Sequence, residues 1–360
     1  MPPVNPLTSS NPYFAGLFAD QEITALFEGA ATADAFLAYE MALTRAAAEV
    51  GQIDIGLAQR ALAAMVDFTP DVAELQSDLS ADGMAVPGYV RQLKAHVGAE
   101  CVAAVHPGAT SQDLIDTAQA LALRAANEIY ISRLTTLIDA LRDLEETHGD
   151  NRLMGRTRMQ AALPISAGHR ISSWISPLVR HTSRLEILRP EVEALQFGGP
   201  VGDGQRSQPH AAAMADHMGK ALGLRAPERC WHTERDSLVT YAGWLSALTG
   251  SLGKFGQDVC LMVQQGVDAL AQAGGGSSSA MAHKQNPVTA EMLVTLSRYN
   301  AGQVALMHQA SVHEQERSGA MWTLEWMVLP AMMTCTGAAL RLATRQVQAI
   351  TRIGEPPTTR

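Results

Sequence analysis

The feature that most limits the fold is a long interval without helix breakers. Between Gly108 and Gly149 there is neither glycine nor proline, and Ile115, Ala118, Leu121, Ala122, Ala125, Ile129 and Leu137 recur at helical spacing. As one helix, Asp113 to His148 spans about 54 Å, far beyond the usual globular element. Comparable periodic segments follow at 165–195 (interrupted by Pro177 and Pro190), 231–272, 287–317 and 322–350. Strand signals are almost absent. The expected class is therefore all-α, an antiparallel bundle of very long helices. Gly243, Gly250, Gly253 and Gly256 would let neighbouring helices approach closely.

Ahead of the bundle, shorter helices are expected at 32–50, 56–67 and 87–97, after an extended Pro/Asn/Ser-rich arm over 1–19. This divides the chain into an N-terminal arm and small helical domain (1–107), a central bundle (108–350) and a tail (351–360). Helices in a chain with 47% hydrophobic residues are expected to bury further faces against other subunits. With 36 acidic against 27 basic residues the net charge is -9, which disfavours nucleic acid as a partner. Cys101, Cys230, Cys260 and Cys335 show neither a disulfide framework nor metal-ligand spacing, so no metal or cofactor is expected. No signal peptide and no membrane span is read, which points to the cytoplasm.

Chemistry concentrates in the breaks between helices. Gly274-Gly-Gly-Ser-Ser-Ser-Ala-Met-Ala-His-Lys-Gln-Asn-Pro287 joins a glycine-rich entry to Lys284, with Asn286 read as an N-cap and Pro287 as the first helical residue. A helix start beside a lysine attracts anions; a plain Gly/Ser linker would have no reason to end in His-Lys-Gln-Asn-Pro. In Val105–Asp113, Thr110 and Asp113 have capping-box spacing, and Thr110 and Ser111 suit a carboxylate or merely cap the helix. The loop Gly155–Gln160, before Pro164 opens a helix, offers Thr157, Arg158 and Gln160. A last cluster, His313-Glu-Gln-Glu-Arg317, places His313 and Arg317 on one helical face, with a salt-bridged helix end as the plainer reading.

Together these motifs resemble the fumarase/aspartase superfamily, whose signature loop runs approximately Gly-Ser-Ser-x-Met-Pro-x-Lys-x-Asn-Pro. Ser278, Lys284 and Asn286 are in register with it, while Ser277 stands for the glycine and Ala282 for the proline. Thr110-Ser111-Gln112-Asp113 is similar to the first conserved region and Gly155-Arg156-Thr157 to the second. The likeness extends from Leu17 to about Pro330. Within the superfamily the 3-carboxy-cis,cis-muconate cycloisomerase branch is nearest, on His106–Thr117, Leu195–Gly202, Gly250–Lys254 and His313–Trp326. Many lyases of the superfamily carry a proton-transferring histidine directly after the threonine matched by Thr157. Here Arg158 stands there, and an arginine, almost always protonated, is a poor acid or base.

The resemblance implies an intramolecular lyase acting on a small polycarboxylate, with an adenylosuccinate- or argininosuccinate-type lyase and a non-catalytic assembly protein as the other readings. It implies Ser278 as the proton-transfer residue, with His106 and His283 as alternatives and Lys284 as electrostatic support. Thr110, Ser111, Thr157, Arg158, Gln160, Asn286 and Arg317 would hold substrate. It further implies a homotetramer whose active sites gather loops from several subunits, and a C-terminal helical domain that this chain, ending at Arg360, would lack or retain only as a vestige.

Overall fold

The computed structural model describes residues 15–277, 281 and 284–355. Two short helices, α1 (Ala15–Phe18) and α2 (Gln21–Ala25), lead into α3 (Gly29–Glu49), α4 (Ile55–Met65), α5 (Val72–Asp82) and α6 (Val86–Val97). The bundle follows as α7 (Ser111–His148), α8 (Ala167–Val192), α10 (Asp236–Met262), α11 (Val288–Ala310) and α12 (Ala320–Ala349), with α9 (Ala211–Leu222) between α8 and α10. Helix α5 lies within a stretch the sequence reads as a break: Asp71 caps it by accepting from the backbone N–H groups of Ala73 and Glu74, and Gly83 ends it at φ 70°.

The breaker-free interval is one helix of 38 residues, about 57 Å long. Leu123, Ala126, Tyr130, Leu134, Leu137, Leu141 and Leu144 form its buried stripe against α8 and α12, and the Tyr130 ring meets Trp244 of α10. Its first turns belong to a second core, where Leu114 and Ala120 join Phe36, Tyr39 and Leu43 of α3, Tyr89 and Leu93 of α6, and Met214 and Met218 of α9. Helix α8 runs through both Pro177 and Pro190 without a break. Each proline costs about 3 kcal/mol, but Ile171, Trp174, Ile175, Leu178, Leu185, Leu188 and Val192 are buried along α8 at about 1.5–3 kcal/mol apiece for the larger aliphatic groups. Of the four glycines expected to admit a neighbour, two do. A Cβ on Gly253 would stand 2.3 Å from Ser297 Oγ and one on Gly256 2.5 Å from the Ala290 carbonyl, so α10 and α11 touch there; Gly243 and Gly250 face open space.

Among the described residues, three two-stranded antiparallel sheets, not anticipated, sit at the turns between helices. β1 (Arg152–Thr157) pairs with β2 (Gln160–Ser166), β3 (Leu270–Gln272) with β6 (Ile350–Ile353), and β4 (Gly276–Ser277) with β5 (Gln285–Asn286). Pro164 therefore lies in a strand, and the helix begins at Ala167 after the Ser166 cap, whose hydroxyl accepts from His169 N–H.

Chain direction alternates through the bundle, which gives it two chemically distinct ends. The starts of α7, α10 and α12 meet at one end, where Arg235 and Trp322 both donate to Asp116. At the other, Asn151 after α7 donates to the Ile353 carbonyl, Arg152 pairs with Glu355, and Gln346 near the end of α12 donates to Gln272. By length and composition α12 would suffice to cross a membrane, but 78% of its most apolar window is buried inside the protein, as befits a core helix.

Candidate active site

At the first end, the loop before α7 is held rigid from beneath. Asp113 is fully buried and its carboxylate accepts four hydrogen bonds: Oδ1 from Gly198 N–H and His232 Nε2, and Oδ2 from Gly199 N–H and Thr110 N–H. Thr110 and Ser111, half-buried, thus sit at a fixed helix start whose first N–H groups have no intrahelical partner, a ready-made place for a carboxylate. Asp113, Cys230 and His232 bring potential ligand atoms within 4.8 Å of one another. Asp113 takes four bonds and Cys230 Sγ donates to Gln196 Oε1, so the cluster braces the loop, while His232 Nδ1 is buried without a partner. Burial, and secondarily Asp113, pushes the Cys230 thiol up to about 12.

His106 lies in this loop with φ 59°, a left-handed conformation uncommon outside glycine. Its backbone N–H donates to Glu40 Oε2 at 2.9 Å and its ring Nδ1 lies 2.6 Å from Glu40 Oε1. Arg317 reaches the same region: its Nε donates to Gln112 Oε1 at 2.8 Å and Nη2 to the Pro200 carbonyl, while Gln112 in turn donates to the His232 carbonyl. The expected i, i+4 pairing of His313 with Arg317 is corrected, because α11 stops at Ala310 and α12 starts at Ala320, leaving both residues in a loop. His313 Nε2 stands 3.4 Å from Glu325 Oε1 instead.

Below the loop lies a buried charge cluster that sequence reasoning missed. Arg235 donates to Asp116 at 2.7 Å and to Glu325 at 2.9 Å, its guanidinium stacks over Trp231 at 4.8 Å, and Trp322 Nε1 donates to Asp116 at 2.9 Å. Nothing in linear spacing relates positions 116, 235 and 325; only three helix starts converging in space do.

The remaining candidates among the described residues occupy the opposite end. β1 and β2 project as a hairpin about 20 Å long, exposed along most of both strands. Thr157 and Gln160 are paired across its tip, and Arg158 and Met159 form the turn at φ 47° and 67°. Both turn positions require the left-handed region, where Asn-Gly is the favoured pair, so a cationic and an apolar side chain are displayed there at a conformational cost of about 1–2 kcal/mol each. The signature loop is a second hairpin: Gly276 pairs with Asn286 and Ser277 with Gln285. Gly275 has φ 158°, and a Cβ there would meet that of Gln285 at 2.9 Å, so the glycines build a tight stem rather than a linker. Lys284 is exposed, and its N–H donates to the Met281 carbonyl. The cap is displaced by one residue from expectation: Asn286 ends the strand, Pro287 is the N-cap and Val288 the first helical residue. The stem borders a cavity of about 350 Å³ lined also by Arg341 and Arg345 of α12, two cations the sequence did not single out. Ser278 and His283 lie outside the described residues.

Within one chain, then, His106, Thr110, Ser111 and Arg317 lie at one end, and Thr157, Arg158, Gln160, Lys284 and Asn286 at the other. The 30-residue α12 separates the ends by about 45 Å.

A family model described as a lyase matches residues 16–304. The chain is 36% identical over 345 residues to 3-carboxy-cis,cis-muconate cycloisomerase of Pseudomonas aeruginosa, covering 93% of this chain and 74% of the relative. It is 33% identical over 344 residues to the enzyme of the same name from Pseudomonas putida, with 93% and 81% covered. Among solved structures, the 3-carboxy-cis,cis-muconate lactonizing enzyme from Pseudomonas putida superposes with a TM-score of 0.87 at 32% identity, over 95% of this chain and 77% of that one. The helix directions, the Thr110–Asp113 start, the Thr157 hairpin and the Lys284–Asn286 hairpin are thus seen in a chain that matches such proteins nearly throughout, and it belongs to the fumarase/aspartase family of lyases.

Proposed function

We propose that this chain is a cycloisomerase that interconverts 3-carboxy-cis,cis-muconate and a carboxymuconolactone in the breakdown of aromatic acids. The observation that carries the reading is Arg158 at the tip of the β1–β2 hairpin, a permanent cation displayed beside Thr157 where proton-transferring chemistry is excluded but carboxylate binding is favoured. Relatives named for this activity support it.

In the forward direction one carboxylate oxygen of the substrate adds to the substrate's own double bond. The electron pair moves onto the carbon alpha to another carboxylate, and a proton is delivered there; the reverse is a β-elimination with carboxylate as leaving group. Both directions pass through an enolate-like species that fixed cations and N–H dipoles stabilise. Lys284, Arg158 and Arg317 supply cations, and the α7 start at Thr110 and Ser111 supplies N–H groups. Thr157, Gln160 and Asn286 orient the substrate, and folding it for internal attack is itself a large part of the catalysis. Ser278 transfers the proton, with His106 and His283 as alternatives.

Because the two sets of residues lie at opposite ends of one chain, each site is assembled from several subunits of a homotetramer. Exposed Met154, Met159 and Leu163 on a hairpin with few contacts to its own bundle fit burial against a neighbouring copy. The enzyme works in the cytoplasm on a small polycarboxylate.

The test is direct. Incubation with 3-carboxy-cis,cis-muconate should abolish the conjugated-diene absorbance. Fumarate release from adenylosuccinate, with the diene untouched, would replace this reading with the lyase one, and inertness toward both would refute an enzymatic role of either kind. Ser278→Ala should lower turnover by orders of magnitude with the fold intact; near-normal turnover moves proton transfer to a histidine.

A further inference from the structure

Helix α3 grips the loop before α7 at two points one helical turn apart. Thr44 Oγ1 donates to the Ala104 carbonyl at 2.7 Å, and Glu40 takes both hydrogen-bonding groups that His106 turns inward, the backbone N–H and ring Nδ1. Thr44 and Glu40 are both fully buried. A buried carboxylate is costly unless paired, and among the described residues the only ion pair of Glu40 is with His106, whose side chain is 13% exposed. The backbone of His106 is also held in the left-handed region. A strained backbone, a buried acid and an oriented ring coincide at one residue, two positions before a loop glycine and four before Thr110. If only a staple were needed, the bond to the backbone N–H would suffice. The second bond, to Nδ1, does something a staple does not: it decides which ring nitrogen carries the proton and which is left for other work.

We propose that Glu40 is the positioning residue for His106, selecting the tautomer protonated at Nδ1 and fixing the ring so that Nε2 is the atom offered to substrate beside Thr110 and Ser111. The second oxygen of Glu40 stays on the backbone N–H, so the ring cannot rotate away without breaking a paired contact. The same carboxylate counters the positive charge the ring acquires whenever Nε2 takes up a proton, as the acid of a catalytic triad does for its imidazole. The identity of the substrate rests on the cycloisomerase reading; the tautomer does not.

Two measurements on the full-length protein separate this from a merely structural contact. Magic-angle-spinning NMR of sedimented protein carrying ¹⁵N-histidine, recorded over a rising pH series with the His106 signals identified by their loss in His106→Gln, reads which ring nitrogen keeps the proton when the ring holds only one. Nδ1–H is expected in the wild type and Nε2–H in Glu40→Gln; Nε2–H in the wild type overturns the proposal, and that measurement requires no folded Glu40 variant. The second is a double-mutant cycle in kcat/KM. Glu40→Gln should cost roughly a hundredfold when His106 is present and less than about twofold in the His106→Gln background. Equal losses in both backgrounds would mean that Glu40 only holds the loop. Failure of the protein to convert the carboxymuconate would sink the functional reading and leave the tautomer to decide this one.

Discussion

Arg235 gives the sharpest quantitative prediction. Its side chain is fully buried and is the shared cation of Asp116 and Glu325. Burial pushes the Asp116 carboxyl up, yet Arg235, through charge and hydrogen bonding, together with the Trp322 and Gln196 donors, holds it below its ordinary value. Arg235→Met keeps the length and apolar volume but leaves two buried carboxylates without the guanidinium they share. Removing one member of a buried pair costs about 3–5 kcal/mol, and with two acids orphaned the upper figure applies. An unfolding entropy of about 2.1 cal/mol/K per residue gives roughly 0.76 kcal/mol/K for this chain, so a loss of about 5 kcal/mol lowers Tm by about 6–7 °C. Scanning calorimetry at neutral pH and matched protein concentration reads this directly. Arg91→Met is the control, because Arg91 also contacts two acids, Glu74 and Asp78, but on the surface, and its loss should leave Tm unchanged. The pH dependence carries a definite sign. A depressed folded-state pKa stabilises above the unfolded value of about 3.9 and ceases to do so as pH falls through the folded value, so the gap between wild type and Arg235→Met narrows in acid. Adding Asp116→Asn and Glu325→Gln to Arg235→Met should recover part of the loss. A drop of less than about 2 °C at neutral pH, or an equal drop in Arg91→Met, would refute the reasoning.

Three other outcomes follow from the geometry. Mixed oligomers reassembled from equal amounts of His106→Gln and Lys284→Met chains should recover about a quarter of wild-type activity, because the two residues lie at opposite ends of a protomer and random assembly reunites intact ends at that frequency; no recovery would place each site within one chain. Arg158→Ala should mainly raise KM, since a carboxylate loses its partner while proton transfer proceeds, and an unchanged KM would count against substrate contact at the hairpin tip. With its thiol pushed up to about 12 by burial, Cys230 should resist iodoacetamide at about pH 8, whereas rapid peptide-mapped alkylation there would show that the brace around Asp113 opens.

The long helices were legible because their signal is local and repeated. The interval from Gly108 to Gly149 contains no breaker and carries an apolar stripe, and the Thr110–Asp113 start is written in adjacent residues. The hairpins were not. β1 and β2 are exposed, so they lack the apolar alternation that marks a half-buried strand, and the Arg158–Met159 turn uses residues that turn chemistry disfavours. His313 and Arg317 misled for a related reason: helical spacing was present, but their contacts with Glu325, Gln112 and Pro200 hold the segment in a loop. Glu40 read as one more polar position of an amphipathic helix, since nothing in sequence distance joins it to His106.

Contiguous residues already carried the helical class, the breaks at Thr110–Asp113 and Gly274–Pro287 and the family, because breaker placement, apolar period and the Ser278–Asn286 and Thr110–Asp113 motifs are local properties. Tertiary structure alone decided where those loops stand. Rigid helices about 45–57 Å long keep the Thr110 loop and the Lys284 hairpin at opposite ends of the chain, and the convergence of helix starts creates the Arg235 cluster and the Glu40–His106 pair. Distances of that kind are fixed by the packing of elements remote in sequence, which no local pattern encodes.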